Sequence, residues 1–304
     1  CKAFSFDAQG VQIASAYREY PTLTPQPGWA ELDPDQVCAA CMEVIRQAAA
    51  ACKSAGDPVC GLGISSQGEA FTPLDRDGRT LGNAMVSSDS RAAATVESFA
   101  HSFGRERLYR ITGHTAHPMF TLFKLLWLRD HRPDAWQRSA RFLCFEDLLH
   151  HRLGLDPAIA WPLAGRTMLF DLHTHAWNAE ILAAAGIDAR QLSRPLSSGS
   201  VVGTVPDALA EDLSLARGTI VVTAGHDQPC GALGSGVTVK GRAMWSTGTV
   251  DCITPSFAEP VLSDELYRSN LCTYDHAMPG MYTTVALTSP AATCSSGFAT
   301  SGAR

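Results

Sequence analysis

One carboxylate in the sequence lies where an enzyme would need a base. Asp227 follows the apolar run "GTIVVT" and precedes "QPCGALG", a segment rich in glycine. Glycines let a ligand approach the backbone closely, and α/β proteins bind ligands at the carboxyl ends of their strands. The same position also suits a helix N-cap with Pro229 in the first turn, which requires no catalysis. This stretch alone leaves both interpretations open.

The glycines around Asp227 do not form a common nucleotide-binding motif. No Gly-Lys-Ser/Thr follows, as a Walker loop requires, and the glycine order differs from a dinucleotide fingerprint. His226 beside Asp227 could indicate a phosphohydrolase metal pair, but partner histidines at a suitable spacing are missing. The turn "STGT", Ser246 to Thr249, offers hydroxyl and backbone N–H groups that could hold a phosphate, although such turns are also common structural connections.

A second set of polar residues follows earlier strand-like runs. The segments "SSQGEAF" and "SSDSR" place Gln67, Glu69, Asp89 and Arg91 in loops. Amide, carboxylate and guanidinium groups recognise polyhydroxylated ligands by paired hydrogen bonds. Each segment taken singly is more typical of a solvated loop. The hypothesis of a ligand-binding site is therefore supported only if the fold brings these residues together.

The predicted elements place these polar residues at strand ends. "DAQG" predicts the turn of an N-terminal β-hairpin, and Asp-Pro at 33–34 predicts the start of a long amphipathic helix. A strand is expected near 59–65, helices dominate 91–192, and "RAMWSTGTVDCIT" predicts two strands around the Ser-Thr-Gly-Thr turn. Helix, buried strand and polar loop in this order indicate an α/β protein.

Length and composition limit the class of protein and its partners. At 304 residues the chain is long enough for two domains. A hydrophobic content of 45% and a charged content of 18% are typical of a globular protein, and no apolar run approaches the ~20 residues of a membrane span. The net charge of −6 without a Lys/Arg cluster argues against nucleic acid or an anionic membrane as partner.

The ten cysteines are scattered along the chain, and we interpret them as reduced thiols of a cytoplasmic protein. Cys38 and Cys41 have the spacing of a redox or zinc pair. No second such pair follows, which favours small apolar residues on one helix.

Five segments together resemble the FGGY family of carbohydrate kinases, and the likeness extends to about Thr254. In the order of the family's motifs they are "GWAELDP", "SSDSR", "ITGHTAHPMFTLFKLLWLRDHRPDAW", "AGHDQPCGALGSG" and "STGT". The number of segments and their order make the resemblance specific.

The resemblance implies an actin-like (ribonuclease H-like) α/β fold with two domains and an ATP-dependent kinase that uses Mg²⁺. Residues 1–237 would form a sugar-binding lobe, and 238–304 would begin a nucleotide-binding lobe. The substrate would be a sugar, polyol or sugar acid, a small molecule, with a homodimer left open. In this scheme Asp227 is the catalytic base, and the remaining site residues are Gln67, Glu69, Asp89, Arg91, Met119 and Gln228 for the substrate and Gly248 and Thr249 for ATP phosphate.

The sequence also departs from the family pattern. Ser87, Gly68 and Met119 stand where some members carry large or aromatic side chains, which predicts a wider pocket and a larger acceptor. The family's Asp-x-Gly-Thr strand would precede Cys1, and its adenosine-binding region would follow Arg304. We therefore expect a missing first strand, an incomplete second lobe and a disordered segment at 290–304.

Two alternatives accompany the kinase hypothesis. The first is a truncated or degenerate relative that binds a carbohydrate without catalysis. The second is an actin-like nucleotide switch with no sugar site, which the polar residues between 67 and 91 disfavour.

Overall fold

The computed structural model of the chain describes residues 1–247 and 251–288. Among these residues the strands are β1 (Lys2–Phe6), β2 (Gln12–Tyr17), β3 (Glu31–Leu32), β4 (Gly61–Ser66), β5 (Thr72–Leu74), β6 (Ala84–Met85), β7 (Arg141–Leu143), β8 (Ala158–Ala160), β9 (Phe170–Asp171), β10 (Ala176–Trp177), β11 (Arg194–Leu196), β12 (Val201–Thr204), β13 (Ile220–His226), β14 (Ala243–Ser246), β15 (Asp251–Phe257), β16 (Tyr274–Asp275), β17 (Tyr282–Thr283) and β18 (Ala286–Thr288). The helices are α1 (Pro34–Ser54), α2 (Ala93–Phe103), α3 (Arg105–Thr112), α4 (Thr121–His131), α5 (Pro133–Arg138), α6 (Phe145–Arg152), α7 (Trp161–Gly165), α8 (Ala179–Ala185), α9 (Asp207–Asp212), α10 (Asp227–Gly234) and α11 (Asp264–Arg268), with a 3₁₀ turn at Ala189–Gln191.

The N-terminal hairpin and the long helix after it are confirmed. Strands β1 and β2 pair antiparallel, from Lys2 opposite Tyr17 to an irregularity after Ser5. Helix α1 begins at Pro34, and the Asp33 carboxylate accepts backbone N–H groups of the first turn, as an N-cap should. The helix packs against the hairpin and contributes its apolar face to a core cluster with β4, α6 and β13.

A three-stranded sheet, in the order β12–β13–β4, positions the polar loops. Strands β13 and β4 run parallel, with Ile220 opposite Gly61 and His226 opposite Ser66. Their carboxyl ends therefore lie side by side. As a result, the segment after Ser66 and the segment after His226 leave the sheet as neighbours, although about 160 positions separate them in sequence.

A second sheet contains the two strands predicted around the Ser-Thr-Gly-Thr turn. Strands β14 and β15 pair antiparallel from Ala243 opposite Pro255 to Ser246 opposite Cys252, and β15 continues to β17 and β18. The predicted phosphate-binding residues Gly248 and Thr249 lie outside the described residues.

The segment from α11 to β16 docks on the end of α3. The Thr273 N–H donates to the Gly113 carbonyl at 2.8 Å. Gly113 has a φ of 73°, and a Cβ at this position would lie 1.8 Å from the Thr273 oxygen, so only glycine fits. Arg110 adds an ion pair with Asp264 at 2.6 Å. These contacts hold Tyr274, in β16, against the elements that carry the polar loops.

The largest apolar side chains of α4 belong to a second core cluster, which also contains residues of α2, α7 and α8. Within the described ranges, no helix combines the length and the apolar character needed to cross a membrane.

Candidate active site

Asp227 is the first residue of α10, directly after the end of β13. The N-cap position belongs to His226, so the sequence-based placement of Asp227 as the cap is wrong by one residue. Pro229 lies in the first turn, as predicted. The Asp227 side chain is 51% exposed. Burial of part of the carboxyl group raises the pKa of Asp227 above its usual value, and the Glu69 carboxylate adds to this, while the Gln228 backbone N–H and Arg166 oppose it.

A buried histidine and a buried tyrosine lie behind Asp227. His226 Nε2 is 3.1 Å from Asp227 Oδ1, a close polar contact without the alignment of a straight hydrogen bond. His226 Nδ1 is 3.0 Å from the Tyr274 hydroxyl, with which it forms a hydrogen bond. Burial, with the nearby Arg166 and His114, lowers the pKa of His226 well below its usual range, and burial raises the pKa of Tyr274 well above its own. Both side chains are therefore neutral near pH 7.

Glu69 forms a buried ion pair with Arg166. The guanidinium Nε donates to Glu69 Oε1 at 2.5 Å, and both side chains are less than 10% exposed. Burial opposes ionisation of Arg166, but nearby groups, foremost the Glu69 carboxylate, together outweigh burial and raise the pKa of Arg166. The guanidinium also lies over the rings of Phe120, at 4.9 Å, and Tyr274, at 5.5 Å. Glu69 has a φ of 64°, an uncommon conformation for a residue other than glycine.

Gly68 is needed for packing rather than for a wider pocket. A Cβ on residue 68 would lie 3.0 Å from the His226 ring and 3.4 Å from Arg166 Cβ. The space expected to be open at this position is filled by the histidine. The structure thus places the His226 ring beside position 68, and the size of the acceptor stays a prediction.

Asp89 and Arg91 form a closed network at some remove from Asp227. Asp89 Oδ2 accepts the Ala30 N–H at 2.7 Å and pairs with the Arg91 guanidinium, which also pairs with Glu31 at 2.7 Å. The guanidinium lies 3.7 Å from the Trp29 ring centroid. Only 4% of the Arg91 side chain and none of the Asp89 side chain is exposed. Within 1–247 and 251–288, no direct hydrogen bond or ion pair joins either residue to Asp227.

The other predicted substrate residues have three different surroundings. Gln228 Oε1 is buried and has no hydrogen-bond partner among the described residues. Gln67 lines a cavity of about 630 Å³ between β1 and β4. Met119 is half-buried, packs against the α4 core cluster, and donates its N–H to His117 Nδ1 at 3.2 Å. The predicted role of each in substrate binding stays a prediction.

Glu146 supports the strand that carries Asp227, and sequence reasoning missed it. One carboxyl oxygen accepts the Ala224 N–H at 2.7 Å and the other accepts the Ala160 N–H at 2.8 Å. Glu146, in α6, therefore links the end of β8 to β13 by hydrogen bonds, and its contact in β13 lies three residues before Asp227. Burial raises the pKa of Glu146 to about 8. The sequence does not place Arg166 or Tyr274 at the site, because no local pattern distinguishes them from core residues, and it considers His226 only as one half of a metal pair.

Comparisons with known proteins agree with this picture. The N-terminal domain of the FGGY family of carbohydrate kinases matches residues 1–234. A xylulose kinase of Lactococcus lactis is 28% identical over 92% of this chain and 55% of its own length. An autoinducer-2 kinase of Klebsiella pneumoniae is 30% identical over 92% of this chain and 53% of its own length. The chain thus spans about half the length of these relatives.

Solved structures show the same fold. A Brucella ovis structure described as a xyloylose kinase is 26% identical over 96% of this chain and 59% of its own, with a TM-score of 0.86. A Plasmodium falciparum glycerol kinase, solved with ADP, is 22% identical over 99% of this chain and 61% of its own, with a TM-score of 0.89. The predicted actin-like α/β fold is confirmed.

Proposed function

The chain belongs to the FGGY family of carbohydrate kinases, and we propose that it serves the ATP-dependent phosphorylation of a hydroxyl group on a sugar, polyol or sugar acid, with Asp227 as the base. One observation carries this proposal. Asp227 is a half-exposed carboxylate at the point where the carboxyl ends of β4 and β13 meet, with buried polar groups behind it and solvent in front.

The chemistry asked of Asp227 is modest. The acceptor hydroxyl loses its proton to the carboxylate while its oxygen bonds to the γ-phosphorus of ATP, and the bond from that phosphorus to the β-phosphate oxygen breaks to release ADP. In a loose phosphoryl transition state the proton leaves late, so a well-placed acceptor suffices. The raised pKa of Asp227 makes it a somewhat stronger base than an ordinary aspartate.

Gln228 is the clearest substrate contact in the proposal. Its buried Oε1 lacks a partner among the described residues, and an unpaired buried acceptor is costly unless a ligand supplies a donor. A substrate hydroxyl would be such a donor. For Gln67 and Met119, each of which has its own surroundings, the substrate-binding role is proposed on the family resemblance. Glu69, Asp89 and Arg91 already have protein partners, so we assign them mainly to shaping the pocket wall.

The phosphoryl donor is proposed to meet the chain through the turn after β14. Gly248 and Thr249 would contact ATP phosphate, in keeping with residues 1–237 as the substrate lobe and 238–304 as the start of the nucleotide lobe. Within the described ranges, no three His, Cys, Asp or Glu side chains are grouped to hold a metal ion. We place Mg²⁺ with the ATP phosphates, which is its usual arrangement in phosphoryl transfer.

A substrate panel tests the proposal. Sugars, polyols and sugar acids would be assayed with Mg-ATP for ADP formation, in wild type and in Asp227→Asn. The expected loss in kcat is roughly 10²–10⁴-fold, the range of general-base catalysis. Asp212→Asn, which changes a similarly exposed carboxylate paired with Arg46, is the matched control and should retain activity.

Two results would contradict the proposal in different ways. Equal turnover in wild type and Asp227→Asn would remove Asp227 as the base. Binding of a carbohydrate by calorimetry, with no ADP formed from any member of the panel, would instead favour the binding protein without catalysis.

A further inference from the structure

We propose that Tyr274 and His226 are positioning residues for Asp227. The Tyr274 hydroxyl donates to His226 Nδ1, which leaves the imidazole N–H on Nε2, facing the Asp227 carboxylate. This inference rests on the proposed function, because it concerns how the proposed base is held.

The direction of this chain of contacts follows from which groups can donate. A carboxylate only accepts, and a neutral imidazole carries one N–H and one lone pair. With Nε2 at 3.1 Å from Asp227 Oδ1, a lone pair on Nε2 would face negative charge, so the N–H belongs there. Nδ1 must then accept, and the Tyr274 hydroxyl at 3.0 Å is its donor.

Packing fixes the histidine ring as well as its tautomer. Gly68 lacks the Cβ that would press on the ring, and the Tyr274 hydroxyl holds the ring's other side. Arg166 lies over the Tyr274 ring and belongs to the buried pair with Glu69, while the His114 ring is 5.4 Å from that of Tyr274. Burial keeps His226 neutral, and Arg166 and His114 add to this effect, because a second positive charge beside Arg166 would be unfavourable.

A neutral histidine has a specific advantage here. An imidazolium next to Asp227 would stabilise the carboxylate and make it a weaker base. A neutral N–H orients the carboxylate without supplying a full charge. Close polar contacts of this type often align only when the substrate is bound, which agrees with the imperfect alignment seen between His226 and Asp227.

The arrangement also links Asp227 to a distant segment of the chain. Tyr274 is fully buried, and the residue before it, Thr273, donates its N–H to the Gly113 carbonyl at the end of α3. The orientation of the proposed base therefore depends on docking of the α11–β16 segment, 48 positions from His226.

The tautomer of His226 can be measured directly in this chain, without any assay of activity. Nitrogen-15 NMR of the histidine-labelled protein should show His226 protonated on Nε2 and unprotonated on Nδ1, with His226→Gln used to assign the signals. In Tyr274→Phe the Nδ1 signal should shift, because its hydrogen-bond donor is gone. A proton on Nδ1 in wild type, or an Nδ1 signal indifferent to Tyr274→Phe, would overturn the proposal.

Kinetics with the substrate found in the panel supply the second readout. Tyr274→Phe should lower kcat roughly 10- to 100-fold with KM nearly unchanged, as expected for a misplaced catalytic group. His226→Gln, which keeps a donor and an acceptor, should retain more activity than His226→Leu. Tyr267→Phe is the matched control, since Tyr267 packs on Tyr109 and does not contact His226 in the described structure.

The two proposals fail in distinguishable ways. If Asp227→Asn keeps full turnover, the base assignment fails, while the nitrogen-15 spectrum still decides the tautomer. If Asp227→Asn abolishes turnover but Tyr274→Phe leaves kcat unchanged, the base assignment stands and the positioning role is wrong.

Discussion

Asp227 and Asp89 differ in how deeply the carboxylate is buried and in how many of its hydrogen-bond acceptor sites are occupied by protein groups. Asp89 is fully buried and accepts hydrogen bonds from Arg91 and from the Ala30 backbone. Asp227 is half-exposed, with His226 close on one side. A carboxylate whose acceptor sites are filled anchors the fold, whereas one with free capacity can take a proton. Burial and pairing, rather than residue type, thus separate the two acids.

Glu146 is a third case and sharpens the contrast. It is as buried as Asp89, but it accepts hydrogen bonds from backbone N–H groups, and in the described part of the chain it forms no ion pair. Without an ion pair the desolvation cost dominates, and burial raises the pKa of Glu146 to about 8. Strand β13, which precedes Asp227, is therefore hydrogen-bonded to Glu146, a carboxyl group that stays protonated to a higher pH than an ordinary glutamate.

The largest expected effect on stability concerns Asp89. Asp89→Ala should lower the free energy of unfolding by about 3–5 kcal/mol, because it leaves the buried Arg91 with less compensation and the Ala30 N–H unpaired. Asp227→Asn should change it by less than about 1 kcal/mol. Urea denaturation of both variants measures the difference. Similar losses of stability in Asp89→Ala and Asp227→Asn would mean that the two carboxylates do not differ in their contribution to the fold.

Glu146→Gln should change how stability depends on pH. The folded pKa of about 8 lies above the ordinary value of 4.5, so the folded state holds the proton more tightly. The stability from this group is fully present below pH 4.5 and is lost as the pH rises through 8. Wild type should therefore lose roughly 4 kcal/mol more than the variant between pH 5 and 9.

Asp147, next to Glu146 in sequence, also makes stability fall as the pH rises, because burial raises the pKa of Asp147 to about 7. Some pH dependence should thus remain in Glu146→Gln. Thermal or urea denaturation across this range is the measurement. Glu43→Gln, on the exposed part of α1, is the control and should keep the wild-type slope.

Gly68→Ala tests the packing behind the proposed base. The added methyl would press on the His226 ring at 3.0 Å, and overpacking of this type costs about 1–3 kcal/mol. The variant should also disturb the His226 signals in the nitrogen-15 spectrum. Gly234→Ala, where a Cβ meets nothing within 4 Å, is the matched control. Unchanged stability and spectrum in Gly68→Ala would restore the idea of open space at position 68.

Arg91→Lys should give a smaller loss of stability than Asp89→Ala, about 1–2 kcal/mol. Lysine keeps the charge near Asp89 and Glu31, but it loses the bidentate geometry and the stacking on Trp29. Urea denaturation would show it. A loss as large as that of Asp89→Ala would mean that geometry, not charge, holds this network together.

Much of the fold could be predicted from the sequence because its signals are local. Asp33 and Pro34 mark the start of α1, the turn at Asp7 to Gly10 marks the hairpin, and alternation around the Ser-Thr-Gly-Thr turn marks β14 and β15. The proposed base was found in the same way, since Asp227 lies between an apolar strand and a glycine-rich segment. The cap was misplaced by one residue because helix starts are poorly defined in sequence.

The rest of the candidate site depends on contacts between residues far apart in the chain. Arg166 is 97 positions from Glu69, and Ala224 is 78 positions from Glu146. No periodicity or capping pattern relates such pairs, because side-chain partners across a fold are set by the packing of whole elements. By itself the sequence determined which residues could do the chemistry and which strands would carry them. Only the tertiary structure decided that Asp89 and Glu69 are already paired while Asp227 is half-exposed, because pairing and desolvation depend on neighbours that the chain order does not specify.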